Sequence, residues 1–182
     1  SYLDSFNGML LNSTVTIRQA FRADLPRIVE IYNAAIPTRL ATGDLEPISV
    51  ESRQGWFQEH LPNQYPIWVA ETETGEVIGW LSFQLFYGML AYRKTAEVSL
   101  YICPNYQRRG LGKMLIEAGI KACANLEITT LVGFIFAHNL PSLYLFEKMG
   151  FQRWGYLPAV AQMDDQTRDL VIVGLQINPS VS

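Results

Sequence analysis

Charge is scarce in this 182-residue chain, and sulfur and imidazole are scarcer still. Asp, Glu, Lys and Arg make up 17% of it, with 14 basic against 17 acidic residues and a formal net charge of −3. That balance lacks the clustered Lys and Arg that phosphate-backbone binding requires, so nucleic acid is excluded as a partner. An anion recognised here has to be small and locally bound. The two cysteines, Cys103 and Cys123, fall at a strand end and in a helix, which speaks against a disulfide scaffold and for a reducing, cytoplasmic setting. Neither histidine, His60 or His138, joins them at a zinc-ligand spacing or as a Cys-His nucleophile pair, so no metal is expected. No window approaches the roughly 18 consecutive apolar residues of a membrane-spanning helix, and no membrane partner is expected. Residues 1–13 lack the basic start and long apolar middle of a secretory leader and read as a tail, as do residues 179–182. Fixed-period repeats and low-complexity linkers are missing too, which leaves residues 14–178 as one domain.

What is present is an alternation of strand and helix signals. "TVTIRQA" alternates and reads as a strand; Asp24 then caps "LPRIVEIYNAAI", with Pro26 in the first turn, where its missing N–H does no harm. Ser49 or Ser52 starts a second helix carrying Trp56 and Phe57. "IWVAET" and "EVIGWLSFQLF" flank Thr74-Gly75 as an antiparallel hairpin, and "AEVSLYI" is a strand ended by Pro104. Leu111, Met114, Leu115, Ala118 and Ala122 place one apolar face on a helix whose opposite face carries Lys113, Glu117 and Lys121. "TTLVGFIFA" reads as a strand covered on both faces. Asn139 opens a last helix closed by Gly150, and two closing strands turn at Asp164-Asp165. The sum is an α/β (α+β) domain with a mixed, largely antiparallel central sheet flanked by helices.

Between the "AEVSLYI" strand and the amphipathic helix lies "CPNYQRRGLGK". Glycines at a strand-to-helix turn let a ligand approach free N–H groups and the positive end of the helix dipole, so the turn suits a phosphate. Met114 after Lys113 departs from the P-loop pattern, and Leu115 occupies the third glycine position of the dinucleotide fingerprint. Gln107-Arg108-Arg109-Gly110-Leu111-Gly112 instead resembles the Q/R-x-x-G-x-G/A signature of the GNAT superfamily of acyl-CoA N-acyltransferases. "SLYICP" before it and "HNLPSLYLFEKMGF" after it match the same superfamily in order, from about Thr14 to Ile177. "IYNAAIPTRLATGDLEPISVESRQGWF" and "AYRKTAEVSLYICP" are similar to the branch that acetylates phosphinothricin and methionine sulfoximine or sulfone.

The resemblance implies acetyl-CoA as cosubstrate and a small amino-acid-like amine as acceptor. It places the cofactor on Leu100, Tyr101 and Ile102, on Gln107, Arg108, Arg109, Gly110, Leu111, Gly112 and Lys113, and on Asn139 and Ser142. Asn139 and Ser142 also fit an ordinary helix start, and Tyr101 equally fits packing against a helix. Removing the ammonium proton needs a base, and Glu97 is the only carboxylate between Glu76 and Glu117. It stands where the branch has its catalytic glutamate; without that match, an ion pair with Arg93 or Lys94 is the simpler reading. For the acceptor the resemblance points to Tyr32, Tyr87, Met89, Tyr92 and Arg93, with Tyr87 where the branch carries an Arg. Aromatic and Met side chains there equally fit a dimer interface, and a homodimer is implied. Many superfamily members protonate the leaving thiolate with a Tyr where this chain has Phe146. A noncatalytic CoA-binding domain would keep the loop and have no use for Glu97.

Overall fold

Strand β1 (Thr16–Gln19), exposed at both ends and half-buried between, lies at the edge of the sheet, and a short turn leads from it into helix α1 (Leu25–Ala35). The computed structural model describes residues 14–178. Asp24 does not cap α1 as its position predicts. A single 3-10 turn, Arg22–Asp24, precedes the helix, and the Asp24 carboxylate reaches back to the Phe21 N–H at 2.7 Å and to Arg18 at 2.8 Å. The Arg18 guanidinium beside it, together with the Phe21 hydrogen bond, outweighs desolvation and holds this carboxyl below the usual carboxylate range. Ser49 meets expectation, accepting the Ser52 N–H at 3.2 Å ahead of α2 (Gln54–Glu59).

Six further strands complete one sheet: β2 (Ile67–Glu71), β3 (Val77–Leu85), β4 (Thr95–Ile102), β5 (Thr130–Phe136), β6 (Gln152–Met163) and β7 (Gln166–Gln176). Their order is β1-β2-β3-β4-β5-β7-β6, and every pairing is antiparallel except β4 with β5. Two helices cover the face opposite α1 and α2: α3 (Leu111–Leu126) and α4 (Leu140–Lys148). The predicted turns form. Gly75 and Gly150 take left-handed φ values of 88° and 98°, as the hairpin and the helix end require, and Asp164 turns β6 into β7.

The buried stripe of α3 is rotated from the one its spacing suggests. Leu111, Leu115, Ile116, Gly119 and Cys123 are buried, while Met114, Ala118 and Ala122 are only partly covered. Gly119 is the reason: a Cβ there would stand 3.1 Å from Phe83 Cζ and 3.3 Å from Leu81 Cδ2, so its absence lets α3 settle onto β3 along that line. Leu81, Phe83, Leu115 and Leu131 lie in the resulting core with at most 1% exposure. Each such side chain contributes about 1.5–3 kcal/mol by leaving water. A second core under α1 and α2 joins Ile28, Ile31, Tyr32, Val69 and Trp80. Trp80 ties the sheet to α1, donating its indole N–H to the Ile28 carbonyl at 3.1 Å.

Candidate active site at the fork between β4 and β5

Parallel neighbours β4 and β5 pair through only three residue pairs, Thr95 with Thr130, Ala96 with Leu131 and Glu97 with Val132. Both strands continue, β4 to Ile102 and β5 to Phe136, but their ladder stops at Glu97. Beyond that point the sheet opens as a fork. The β5-facing backbone groups of Leu100, Tyr101 and Ile102 therefore have no strand partner across it. Unpaired donors and acceptors need a ligand, a side chain or water, and a pantetheine arm has the amides to satisfy them.

Glu97 stands at the root of the fork, on the same strand face as Ser99 and Tyr101. Across β3 its register partner is Gln84. The Gln84 amide accepts from the buried Ser82 hydroxyl at 2.9 Å and donates to Ser99 at 2.8 Å, so a polar strip runs beneath the carboxylate. Burial pushes the Glu97 carboxyl above the ordinary glutamate range, and a hydrogen bond from Gln84 offsets part of that rise. No ion pair joins it to Arg93 or Lys94 among the described residues. The Arg93 guanidinium is exposed and donates to the Leu90 carbonyl at 3.3 Å.

An aromatic group flanks this carboxylate. Phe86 follows β3, Tyr87 and Tyr92 come from the loop after it, and Phe134 projects from β5. Phe86 lies 6.5 Å from both Tyr87 and Phe134 and 6.0 Å from Tyr92, while Tyr87 meets Tyr92 edge-on at 5.2 Å. Phe134 departs from the reading of β5 as a strand covered on both faces: it is 38% exposed because the sheet parts beside it. Met89 is exposed in the same loop. Tyr32 lies on the opposite wall, 8% exposed, with its hydroxyl bonded to Thr42 and Asp44 and its ring 5.0 Å from Tyr101. Arg53 sits over that ring at 5.0 Å and reaches Asp44 at 3.6 Å.

At the far end of β4 the chain makes a 3-10 turn and enters α3 at Gly110, whose φ of 83° is left-handed. Among the described residues no side chain caps α3, which leaves the N–H groups of Leu111, Gly112 and Lys113 open to an anion. Gly112 packs α3 close to α4, since a Cβ there would lie 2.7 Å from Leu145 Cδ2. Arg108 and Arg109 are exposed, Arg109 over the Tyr106 ring at 5.6 Å, and Lys113 pairs loosely with Glu117 at 3.9 Å. Gln107, exposed, reaches back along the chain and donates to the Ile102 carbonyl at 3.3 Å. The loop thus fits a diphosphate, with glycines for close approach and cations for charge. A groove of about 510 Å3 lies between α1 and this loop, lined by Arg27, Glu30, Glu76, Cys103, Tyr106 and Arg109. It touches the loop without reaching Glu97.

Asn139 and Ser142 open α4 beyond the other arm of the fork. Asn139 Oδ1 accepts the Ser142 N–H at 3.3 Å, and its Nδ2 donates to the Leu40 carbonyl at 3.1 Å. Phe146 is buried edge-on against Phe151, 5.0 Å away, and has no proton to give; Tyr144 is 69% exposed. No three His, Cys, Asp or Glu side chains gather as a metal site among the described residues. The predicted residues thus fall into two groups, one around Glu97 and one along the loop and fork. Sequence reasoning missed Gln84, Ser99 and Phe134, which only strand pairing brings beside Glu97. It also missed Asp44 and gave Arg53, one of the residues carrying the branch resemblance, no role in the site.

A sheet that opens beside a glycine-led helix start is built for a transferase that takes its acyl group from a coenzyme A thioester. Residues 25–151 match the Acetyltransferase (GNAT) family, and the chain belongs to it. It is an acetyl-CoA-dependent N-acetyltransferase. YwnH of Bacillus subtilis, whose name assigns it provisionally to phosphinothricin acetylation, is 45% identical over 164 residues, 90% of this chain and 100% of that protein. An L-methionine sulfoximine/L-methionine sulfone acetyltransferase of Pseudomonas aeruginosa is 32% identical over 93% of this chain and 98% of its own length. A phosphinothricin acetyltransferase of Sinorhizobium meliloti, solved with acetyl-CoA, superposes with a TM-score of 0.85 at 29% identity, covering 91% of this chain and 89% of that one.

Proposed function

We propose that this acetyltransferase acts on the primary amine of a small amino-acid-like substrate of the methionine sulfoximine, methionine sulfone or phosphinothricin type, with Glu97 as general base. The observation that carries this is the position of Glu97: a half-buried carboxylate at the last paired residue of β4, where the fork begins. The thioester lies in the fork, and its carbonyl takes hydrogen bonds from the unpaired N–H groups of β4, an oxyanion-hole arrangement. The substrate nitrogen loses a proton to Glu97 and attacks that carbonyl carbon. A new C–N bond forms and the C–S bond breaks; the nitrogen gives its second proton to solvent as the amide forms, and CoA departs as thiolate without an acid at Phe146, taking a proton from solvent. The raised carboxyl pKa makes Glu97 a stronger base than an exposed glutamate. The diphosphate rests on residues 107–113, with Arg108, Arg109 and Lys113 neutralising it.

Phe86, Tyr87, Met89 and Tyr92 favour a neutral acceptor side chain over an acidic one, with Arg93 as the clamp for the substrate carboxylate. Tyr87, Met89, Leu90, Trp154 and Tyr156 are exposed apolar side chains that also support a homodimer. The free thiols of Cys103 and Cys123 support a cytoplasmic setting. A thioester-consumption screen over methionine sulfone, methionine sulfoximine, phosphinothricin, free amino acids and polyamines tests the reading. Turnover of the neutral amino-acid-like amines is expected, with phosphinothricin slower. Thioester cleavage no faster than hydrolysis with every amine would overturn it and leave a CoA-binding domain.

A further inference from the structure

The segment that follows α1, residues 39–45, is fastened by side chains from both arms of the fork. Three consecutive carbonyls in it, those of Arg39, Leu40 and Ala41, each accept one side-chain hydrogen bond: from His138 Nε2 at 2.8 Å, from Asn139 Nδ2 at 3.1 Å and from the Tyr101 hydroxyl at 3.1 Å. Tyr101 belongs to β4, while His138 and Asn139 follow β5 after Ala137. The loop is therefore strung from one arm to the other. A carbonyl only accepts, so His138 carries its proton on Nε2; among the described residues its Nδ1 is buried with no partner, a costly arrangement. Further along, Thr42 and Asp44 take the Tyr32 hydroxyl, and the Arg39 guanidinium bonds the Leu45 carbonyl at 2.9 Å and Asp164 at 3.1 Å.

Asn139 holds two structures at once. Its Oδ1 caps α4 through the Ser142 N–H, and its Nδ2 holds the loop, so both ends of the amide are committed inside the protein, and the residue is 7% exposed. We propose that Tyr101, His138 and Asn139 form a latch that holds residues 39–45 between the arms of the fork, and that through this loop they set how tightly the acceptor amine is held. They are positioning residues, and the proposal rests on the fork as the place of transfer. The amine has to reach Glu97 on the face that carries Tyr101 and Tyr32, and the latched loop borders that face. A loosened loop weakens amine binding, while the α3 N–H groups of Leu111, Gly112 and Lys113 that face the diphosphate keep their place in the helix.

Two variants separate this from a cofactor role for Asn139. Asn139→Asp keeps an acceptor for the Ser142 N–H, since Asn and Asp cap equally well, but turns an oxygen toward the Leu40 carbonyl. Tyr101→Phe keeps the ring stacked on Trp80 at 4.8 Å and removes only the hydroxyl. Each should raise KM for the amine about three- to tenfold, as loss of one hydrogen bond allows, while KM for acetyl-CoA stays within about twofold. Hydrogen exchange read by mass spectrometry should quicken in peptides covering residues 39–45 in both variants. A rise in KM for acetyl-CoA with amine KM unchanged, or unaltered exchange of the loop in both variants, would overturn the latch. If the unmodified protein acetylates no amine, the functional reading fails by itself, and loop exchange still decides the latch.

Discussion

Glu97→Gln exchanges a half-buried carboxyl for an amide of the same size, so contacts with Gln84 and Val132 survive while the base is lost. A positioned general base contributes about a hundredfold to ten-thousandfold, equivalent to about 3–5 kcal/mol of barrier, and kcat/KM should fall by that range. Burial raises the carboxyl pKa and Gln84 only partly offsets it, so the folded protein disfavours the ionised form that the chemistry needs. Activity of the unmodified enzyme should therefore decline on the acid side through an apparent pKa above the ordinary glutamate range. That limb should be absent from the residual activity of the variant. Stability moves the other way. Because the folded-state pKa exceeds the unfolded one, the stabilisation linked to protonated Glu97 is complete below the unfolded pKa and is lost as pH rises through the folded pKa. Glu97→Gln should melt above the unmodified protein at about pH 8, and the gap should close toward about pH 4. Thioester consumption across pH, paired with melting curves at both ends, checks each half. A variant with undiminished kcat/KM and the same acid limb would refute Glu97 as the base.

Gly110→Val puts a β-branched residue at a φ of 83°, costing about 1–2 kcal/mol or more, and should raise KM for acetyl-CoA far more than KM for the amine; equal acetyl-CoA affinity by calorimetry would argue against the diphosphate loop. Tyr87→Arg adds a guanidinium to the aromatic wall and should improve kcat/KM for phosphinothricin relative to methionine sulfone by about tenfold, the effect of one charge-assisted contact; an unchanged ratio would remove Tyr87 from the acceptor pocket. Gly119→Val forces side-chain atoms onto Phe83 and Leu81, both 0% exposed, and should cost about 1–3 kcal/mol, lowering Tm by about 2–4 °C per kcal/mol without altering the pH profile of activity.

The strand-helix alternation, the turn at Gly75, the cap at Gly150 and the glycine-led entry into α3 were readable because each is a local matter of period or φ. The stripe of α3 was misplaced by part of a turn, since periodicity finds an apolar face without saying where a neighbouring Phe83 lets a glycine approach. Asp24 was misread for a related reason: a capping residue type does not reveal that Arg18, on the preceding strand, stands ready to take its carboxylate.

The sequence by itself pointed to residues 107–113 as a place suited to a small anion, because a glycine-led helix start offers free N–H groups and the positive end of the helix dipole. It also singled out Glu97 as the only carboxylate between Glu76 and Glu117. Only the tertiary structure decided that β4 and β5 part company just beyond Glu97, that Phe86 and Phe134 meet beside it, and that residues 39–45 are tied to both arms. Those features depend on pairing between segments separated by whole helices, where side-chain packing rather than local backbone preference selects the register.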